Sequence, residues 1–389
     1  MRFTLDIDYP IERFEQNRKR IEARTNFDYE DRVPVFFCVV PRFFAPIFNM
    51  TYGDLFKDAE TQYYWHLQFI KYRMENIPED CWTAPAVTVA PYFDNVIDAD
   101  ALGCEIGWSD HETPRAIHSI RSVDAMEAFQ IPEPTSGLWG KTLEWHFRMK
   151  ELAEETDVRI NGERVPVNVA PPSISLSSHM SAVDLVGEDF YWWMAEYPEA
   201  CHSFLDKITR ALIRAEEHFR EKVPGVRGGF GSADDSAQIM SPAMFREFCV
   251  PYTGALYDRF GAGLKDGRGM HMCGESAHLH SILADELRIS SFNVFGYLVP
   301  PKVAAENLGS KGVYLHGNIS PMLMLDGTKG EVKAAALEAL EWMAPCGGFM
   351  LGDGANVCPG TPIENLAALT EAAEEYGKPI VARSSVRPG

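Results

Sequence analysis

The sequence predicts a single (β/α)8 TIM barrel with an N-terminal helical extension. Three observations carry that prediction: eight short apolar, β-rich runs, longer stretches of helical pattern between them, and polar or ligand-type residues just after most runs. The runs are residues 33–37, 86–90, 165–170, 226–230, 269–272, 289–294, 313–316 and 348–351. Their spacing by helical stretches argues for parallel strands joined by crossovers. Two helices carry the start signal of a hydroxyl N-cap followed by proline. Ser241-Pro242 precedes Phe245 and Phe248, and Thr361-Pro362 precedes Leu366 and Leu369.

The remaining segments fit around that frame. Residues 1–31, charged and helical around 12–24, are predicted to cap the barrel, and residues 92–134, with little periodicity, to form an insertion near its mouth. No internal repeat or low-complexity linker divides the 389 residues, so the chain is predicted to be one domain.

Apolar residues make up 46% and charged residues 24%, enough for a full-sized core. A net charge of −20 argues against a nucleic-acid partner, which needs clustered Lys and Arg. No run approaches the roughly 20 apolar residues that span a bilayer, so a cytoplasmic protein with no membrane partner is expected. The eight cysteines lack the dense spacing of a disulfide frame and read as reduced thiols. Dinucleotide, phosphate-loop and nucleophile-elbow motifs are absent from the sequence, which removes nucleotide-dependent and serine-hydrolase chemistry.

The sharpest chemical signal is His271-Met272-Cys273-Gly274. Side chains at i and i+2 of a strand point the same way, so an imidazole and a thiolate can grip one ion, and that donor pair suits zinc. The third ligand must come from elsewhere: Cys358 is the first candidate, with Asp353, Glu275 and Cys346 behind it. Asp234-Asp235 follows a glycine-rich run at the barrel mouth and offers a general acid, a substrate anchor or a hydrogen-bond partner, one of the two being a turn or capping residue. His316-Gly317-Asn318 ends a strand, with Asn318 open to a ligand or to capping the helix after Ser320-Pro321. Aromatic residues after the first two runs, Phe43, Phe44, Tyr92 and Phe93 among them, can line an apolar pocket. Asp234, Asp235, His316 and Asn318 are thus the catalytic candidates, and Tyr92 and Asn318 the candidates for cofactor contact.

Six stretches together resemble the uroporphyrinogen-decarboxylase superfamily: Arg32-Val33-Pro34-Val35, Ala101-Leu102-Gly103-Cys104-Glu105, Asp234-Asp235 with Ser241-Pro242, His271-Met272-Cys273-Gly274, His316-Gly317-Asn318-Ile319, and residues 359–365 from Pro359-Gly360-Thr361-Pro362. The resemblance runs from Arg32 to Tyr376. Decarboxylases of the superfamily carry an arginine-rich signature after the first strand, whereas here Cys38-Val39-Val40-Pro41-Arg42-Phe43-Phe44 has one arginine. The His-x-Cys pair with a later cysteine is instead similar to the corrinoid-dependent methyltransferase branch, where such residues bind zinc. In that branch the third ligand sits a few residues earlier relative to the Thr-Pro turn, where this chain has residues 353–355, so Cys358 or Asp353 stays open.

The resemblance implies transfer of a methyl group between a small methylated substrate and the cobalt of a corrinoid (cobalamin) on a partner protein, with zinc at His271, Cys273 and Cys358. The aromatic mouth favours demethylation of an aromatic methyl ether, and a homodimer is the assembly to test. Two alternatives stand beside it: metal-free decarboxylation of a carboxylated substrate at Asp234 or Asp235, and a non-catalytic barrel that binds a corrinoid or its carrier.

Overall fold

The structure is a computed structural model that describes residues 3–225, 228–264 and 266–382. Strands Phe230–Ala233, Arg268–His271, Ser291–Asn293, Tyr314–Ile319 and Phe349–Asp353 lie side by side in that order, every pair parallel. All six residues of Tyr314–Ile319 are buried, as a parallel strand covered on both faces requires. The sheet continues past Phe349–Asp353 to the first run through a parallel bridge between Val35 and Leu351. There the Phe36 N–H donates to the Leu351 carbonyl and the Leu351 N–H to the Pro34 carbonyl, each at 3.0 Å.

At the other edge one stretch of chain serves two neighbours. Val167–Val169 pairs in parallel with Val87–Val89, and a few residues later Leu176 bridges Ala233. All eight predicted runs therefore contribute to a (β/α)8 barrel in the predicted order.

Between the first and second runs a side chain replaces part of the ladder. Asp80, fully buried, accepts the Val35 N–H at 2.8 Å, while its own N–H donates to the Val35 carbonyl at 2.7 Å. The same carboxylate accepts both Nη atoms of buried Arg32, at 2.7 and 3.1 Å, and Nη1 of Arg20 at 3.0 Å. A buried charge with four donors is satisfied, and removing it would leave Arg32 unpaired.

Several boundaries move. Strand Phe230–Ala233 starts where the predicted run 226–230 ends, and Val226 lies outside the described residues. Val165 belongs to a hairpin strand, Glu163–Val165, because Pro166 interrupts the pattern before Val167–Val169. That hairpin joins Asp157–Ile160 to a strand at the chain start, Thr4–Ile7, so the N-terminal segment is not purely helical. Its helix Ile11–Asn26 sits at the N-terminal end of the last strand, where Arg24 donates to the Gly348 carbonyl and Tyr29 to the Phe349 carbonyl.

Ser241 caps helix Pro242–Phe248 by accepting the Met244 N–H, with Pro242 in the first turn as predicted. Thr361 does not cap. Its hydroxyl donates to the Cys358 carbonyl at 2.8 Å, and helix Ile363–Tyr376 starts after Pro362. Within 92–134 the chain forms an antiparallel hairpin, Glu105–Gly107 with Arg115–Ile117. Beyond its first strand, the Asp110 carbonyl receives the Tyr52 and Gly53 N–H groups on the segment that follows the first run.

Candidate metal centre

Parallel register decides which side chains meet at the C-terminal rim. Ala233 pairs with His271, so the loop after Phe230–Ala233 lies beside the end of Arg268–His271. This brings Asp235 to the predicted pair: one ligand atom from each of Asp235, His271 and Cys273 falls within 4.8 Å of the others, and all three side chains are partly open to solvent. The His271 Nδ1–H donates to the Asn293 carbonyl at 3.0 Å, which leaves Nε2 with its lone pair. That Nε2 lies 3.7 Å from Asp235 Oδ1. The Cys273 N–H donates to the same Oδ1 at 2.7 Å, fixing the carboxylate over the strand end.

The donor set fits zinc. Burial, then the Asp235 carboxylate, pushes the Cys273 thiol up to about 12, so sulfur, carboxylate and imidazole lone pair converge with no cation among them. A divalent ion relieves that repulsion, and nitrogen, sulfur and carboxylate oxygen are ordinary zinc donors. Three protein ligands also leave a fourth position for a substrate atom. A Cβ at Gly274 would meet the Gln238 side chain, whose Oε1 holds the Glu275 N–H at 3.1 Å, and would displace that amide.

Cys358 does not join this group, which corrects the expected third ligand. Its carbonyl is tied to Thr361 in the tight turn, and the charges that act on its thiol are those of Arg42, Asp326 and Asp353. Asp353 is fully buried, with Oδ1 accepting the Cys38 N–H at 2.8 Å and Oδ2 without a partner among the described residues; burial raises its carboxyl to about 7. Glu275 turns back to the Ala277 N–H, and Cys346 lies at the opposite barrel end, ahead of strand Phe349–Asp353.

The two adjacent aspartates divide where strand Phe230–Ala233 gives way to a 3-10 helix. Asp235 faces the metal-ligand cluster, whereas Asp234 is buried and caps the short 3-10 helix Asp235–Ile239. Asp234 accepts Ser177 Oγ at 2.6 Å, His179 Nδ1 at 3.0 Å and the Ala237 N–H at 3.1 Å. It is therefore no surface acid, which corrects its place among the catalytic candidates. His179, Asp234 and Cys249 form a second close group, wholly buried, behind the first. Nothing in the sequence flagged His179, because its contact with Asp234 is made across 55 residues of chain.

His316 is buried and neutral: burial lowers it to about 4, and its Nε2–H donates to the Phe36 carbonyl at 3.0 Å. The Asn318 amide donates to the Gly296 and Val299 carbonyls at 3.3 and 2.7 Å, holding the loop after Ser291–Asn293. Ser320, not Asn318, caps the following helix. Both residues thus support the rim from within rather than face an open site. Tyr92 stands at the mouth, its hydroxyl 3.3 Å from that of Tyr52, which donates to Asp94 at 2.7 Å.

A family model described as uroporphyrinogen decarboxylase (URO-D) matches residues 85–376. Among curated proteins, a methylated-thiol–coenzyme M methyltransferase of Methanosarcina mazei is 24% identical over 298 residues, covering 73% of this chain and 71% of that protein. A methylcobamide:CoM methyltransferase MtaA of Methanosarcina barkeri is 30% identical over 225 residues, 56% of this chain and 58% of its own length. A uroporphyrinogen decarboxylase of Dictyostelium discoideum is 21% identical over 300 residues, 75% and 77% of the two chains. Among solved structures, a methyltransferase from Methanosarcina mazei superposes with a TM-score of 0.66 at 23% identity, covering 92% of this chain and 98% of that one, and shares the barrel fold.

Proposed function

The chain belongs to the uroporphyrinogen decarboxylase (URO-D) family, and from that premise we propose that it is a corrinoid-dependent methyltransferase with zinc held by His271 Nε2, Cys273 Sγ and an Asp235 oxygen. The observation that carries the reading is the nitrogen, sulfur and oxygen donor set at the C-terminal rim, where barrel enzymes do their chemistry. Two methyltransferases among the relatives, one named for methylcobamide, support it. A ring of arginines suited to a polycarboxylated porphyrinogen does not follow the first run, where Arg42 is alone.

In this reading the methyl group moves between a small molecule and the cobalt of a corrinoid that a partner protein carries. In the demethylating direction the methyl–oxygen bond breaks, the carbon–cobalt bond forms, and the leaving oxygen keeps the electron pair of the broken bond. Zinc, when bound, supplies a Lewis acid for that leaving oxygen. The chain's own residues prepare the site. The Asn293 carbonyl fixes the His271 tautomer, and Asp235, held by the Cys273 N–H, is oriented before any ion arrives. Thiol deprotonation accompanies metal binding. The favoured methyl donor is an aromatic methyl ether.

The test is methyl transfer from 2-methoxyphenol, methanol and a methyl thioether to added Co(I) corrinoid, followed by its absorbance, together with zinc analysis of the purified protein. Near one equivalent of zinc and corrinoid methylation from one of the donors are expected. Zinc below a tenth of an equivalent, unchanged in Cys273→Ala, or no methylation from any donor, would overturn the reading.

A further inference from the structure

The loops that follow the strands from Phe230–Ala233 to Phe349–Asp353 are tied edge to edge at the C-terminal rim. His278 Nε2 meets the Met240 carbonyl at 2.9 Å, and the Glu275 N–H reaches Gln238, which joins the first two loops. The third packs on the second so closely that a Cβ at Gly296 would meet the Gly274 and Cys273 carbonyls. The Gly296 N–H donates to the Gly354 carbonyl at 3.1 Å, and the Gly354 N–H to the Ile319 carbonyl at 2.8 Å. These loops form one arc around Asp235, His271 and Cys273.

The arc differs in composition from the rest of the chain. Charged residues make up 24% of the sequence, yet residues 236–244, 294–301, 320–325 and 354–363 contain none. In the remaining loop, residues 272–279, Glu275 is the one acid, and it is engaged by the Ala277 N–H at 3.1 Å and His278 Nδ1 at 3.6 Å. The loop after the second run is the opposite, with six acids from Asp94 to Glu112. The arc also shows bare apolar side chains: Ile239 is 71% exposed, Leu298 56%, Met322 51% and Tyr297 40%. Single exposed apolar residues are ordinary, but four on a charge-poor arc around a ligand cluster mark an interaction face. Loss of charge at the centre is the mark of such faces.

We propose that this arc is the seat of the corrin macrocycle itself, so that the protein grips the face of the cofactor rather than the surface of its carrier. A corrin is a flat apolar ring edged with methyl groups and uncharged amides, so covering the arc with it strands almost no charge. A methyl group passed directly between two atoms leaves no space for protein between them. The ring must then lie across the mouth beside the ligand cluster, where Ile239 and Leu298 stand on the loops either side of the one that carries Cys273. The neutral apolar face stands on the structure alone; its occupant rests on the proposed methyl transfer.

The experiment titrates free methylcobalamin, with no carrier protein, into the intact protein and reads affinity by calorimetry. An affinity that changes less than about twofold between about 0.05 and about 0.5 M NaCl is expected, because salt screens charges and few face the ring. Leu298→Glu and Leu298→Lys are each expected to weaken binding at least about tenfold, since either sign strands a charge against the ring. Leu298→Ala should weaken it about threefold through lost apolar contact. Phe147→Glu, also at an exposed apolar position but on the outer helix Gly137–Glu155, should leave it unchanged. No binding, a steep salt dependence, opposite effects of the two charged substitutions, or a loss in Phe147→Glu would overturn the proposal. So would a dimer in sedimentation that Leu298→Glu splits, which assigns the arc to a second copy of the chain. Methyl transfer with methylcobalamin binding indifferent to position 298 would sink the seat and spare the function. Binding that depends on Leu298, with no transfer from any donor, would do the reverse.

Discussion

Acidification should destabilise this protein gently, because two sets of buried groups oppose each other. His66, His280 and His316 are each lowered by burial from an ordinary 6.5 to about 4. As pH falls below 6.5 the unfolded chain takes up three protons that the fold refuses, so stability present at neutral pH is lost toward pH 4. Asp184 and Asp353 act in the opposite sense. Burial raises both from 3.8 to about 7, so below pH 7 the fold holds two protons that the unfolded chain releases, and stability rises as pH falls toward 4. Each proton is worth about 1.4 kcal/mol per pH unit. The three histidines alone would cost about 4 kcal/mol per unit, and with the carboxyls opposing them about 1.4 kcal/mol per unit is left between pH 6 and 4.5. His66→Leu removes one histidine and should flatten the slope to about zero, whereas Asp184→Asn removes an opposing carboxyl and should steepen it to about 3 kcal/mol per unit. Urea unfolding of EDTA-stripped protein at several pH values reads these slopes without metal release entering them. A wild-type stability that climbs on acidification, or a His66→Leu slope steeper than wild type, would refute the balance.

Zinc content and a chelator competition separate the ligands: Cys273→Ala should lose the metal, Asp235→Asn should weaken it on the order of 10- to 100-fold, and Cys358→Ser should leave it unchanged. Asp80→Ala leaves Arg32 buried and uncompensated, and a loss of about 3–5 kcal/mol is expected by denaturant unfolding; a loss under about 1 kcal/mol would show that water reaches the guanidinium. Ser241→Ala removes the Met244 N–H acceptor at the start of Pro242–Phe248 and should cost about 1 kcal/mol on the same assay.

The barrel was legible because its strands stand out as apolar runs between helical stretches, most clearly at Tyr314–Ile319, which is buried throughout. Their ends were less so. Tyr314–Ile319 continues three residues past His316, since barrel strands run on into the polar residues that build the rim. The candidate ligand pair was legible because it is local: His271 ends strand Arg268–His271 and Cys273 follows two residues on. Its third member was not, although Asp235 had been singled out for other work. Which loop lies beside Cys273 is fixed by strand order, and the register of Ala233 with His271 decides in favour of Asp235. Cys358 drew attention by residue type, yet the Cys358–Thr361 turn belongs to another part of the rim. Asp234 shows the same limit from within: its cap on the Ala237 N–H is local and within reach of the sequence, whereas its contacts with Ser177 and His179, more than fifty residues away, are not.

The carboxylate of Asp80 also determines where this protein can be cut. It fastens Val35 to the chain ahead of Val87–Val89 and draws Arg20 and Arg32 into one closure, so the first eighty residues complete the cylinder. A fragment beginning at Val87 would expose the Leu351 edge, whose N–H and carbonyl are satisfied by Pro34 and Phe36 in the whole chain. An unpaired parallel edge invites pairing with another molecule. Such a fragment is expected to aggregate, although it keeps Asp235, His271 and Cys273.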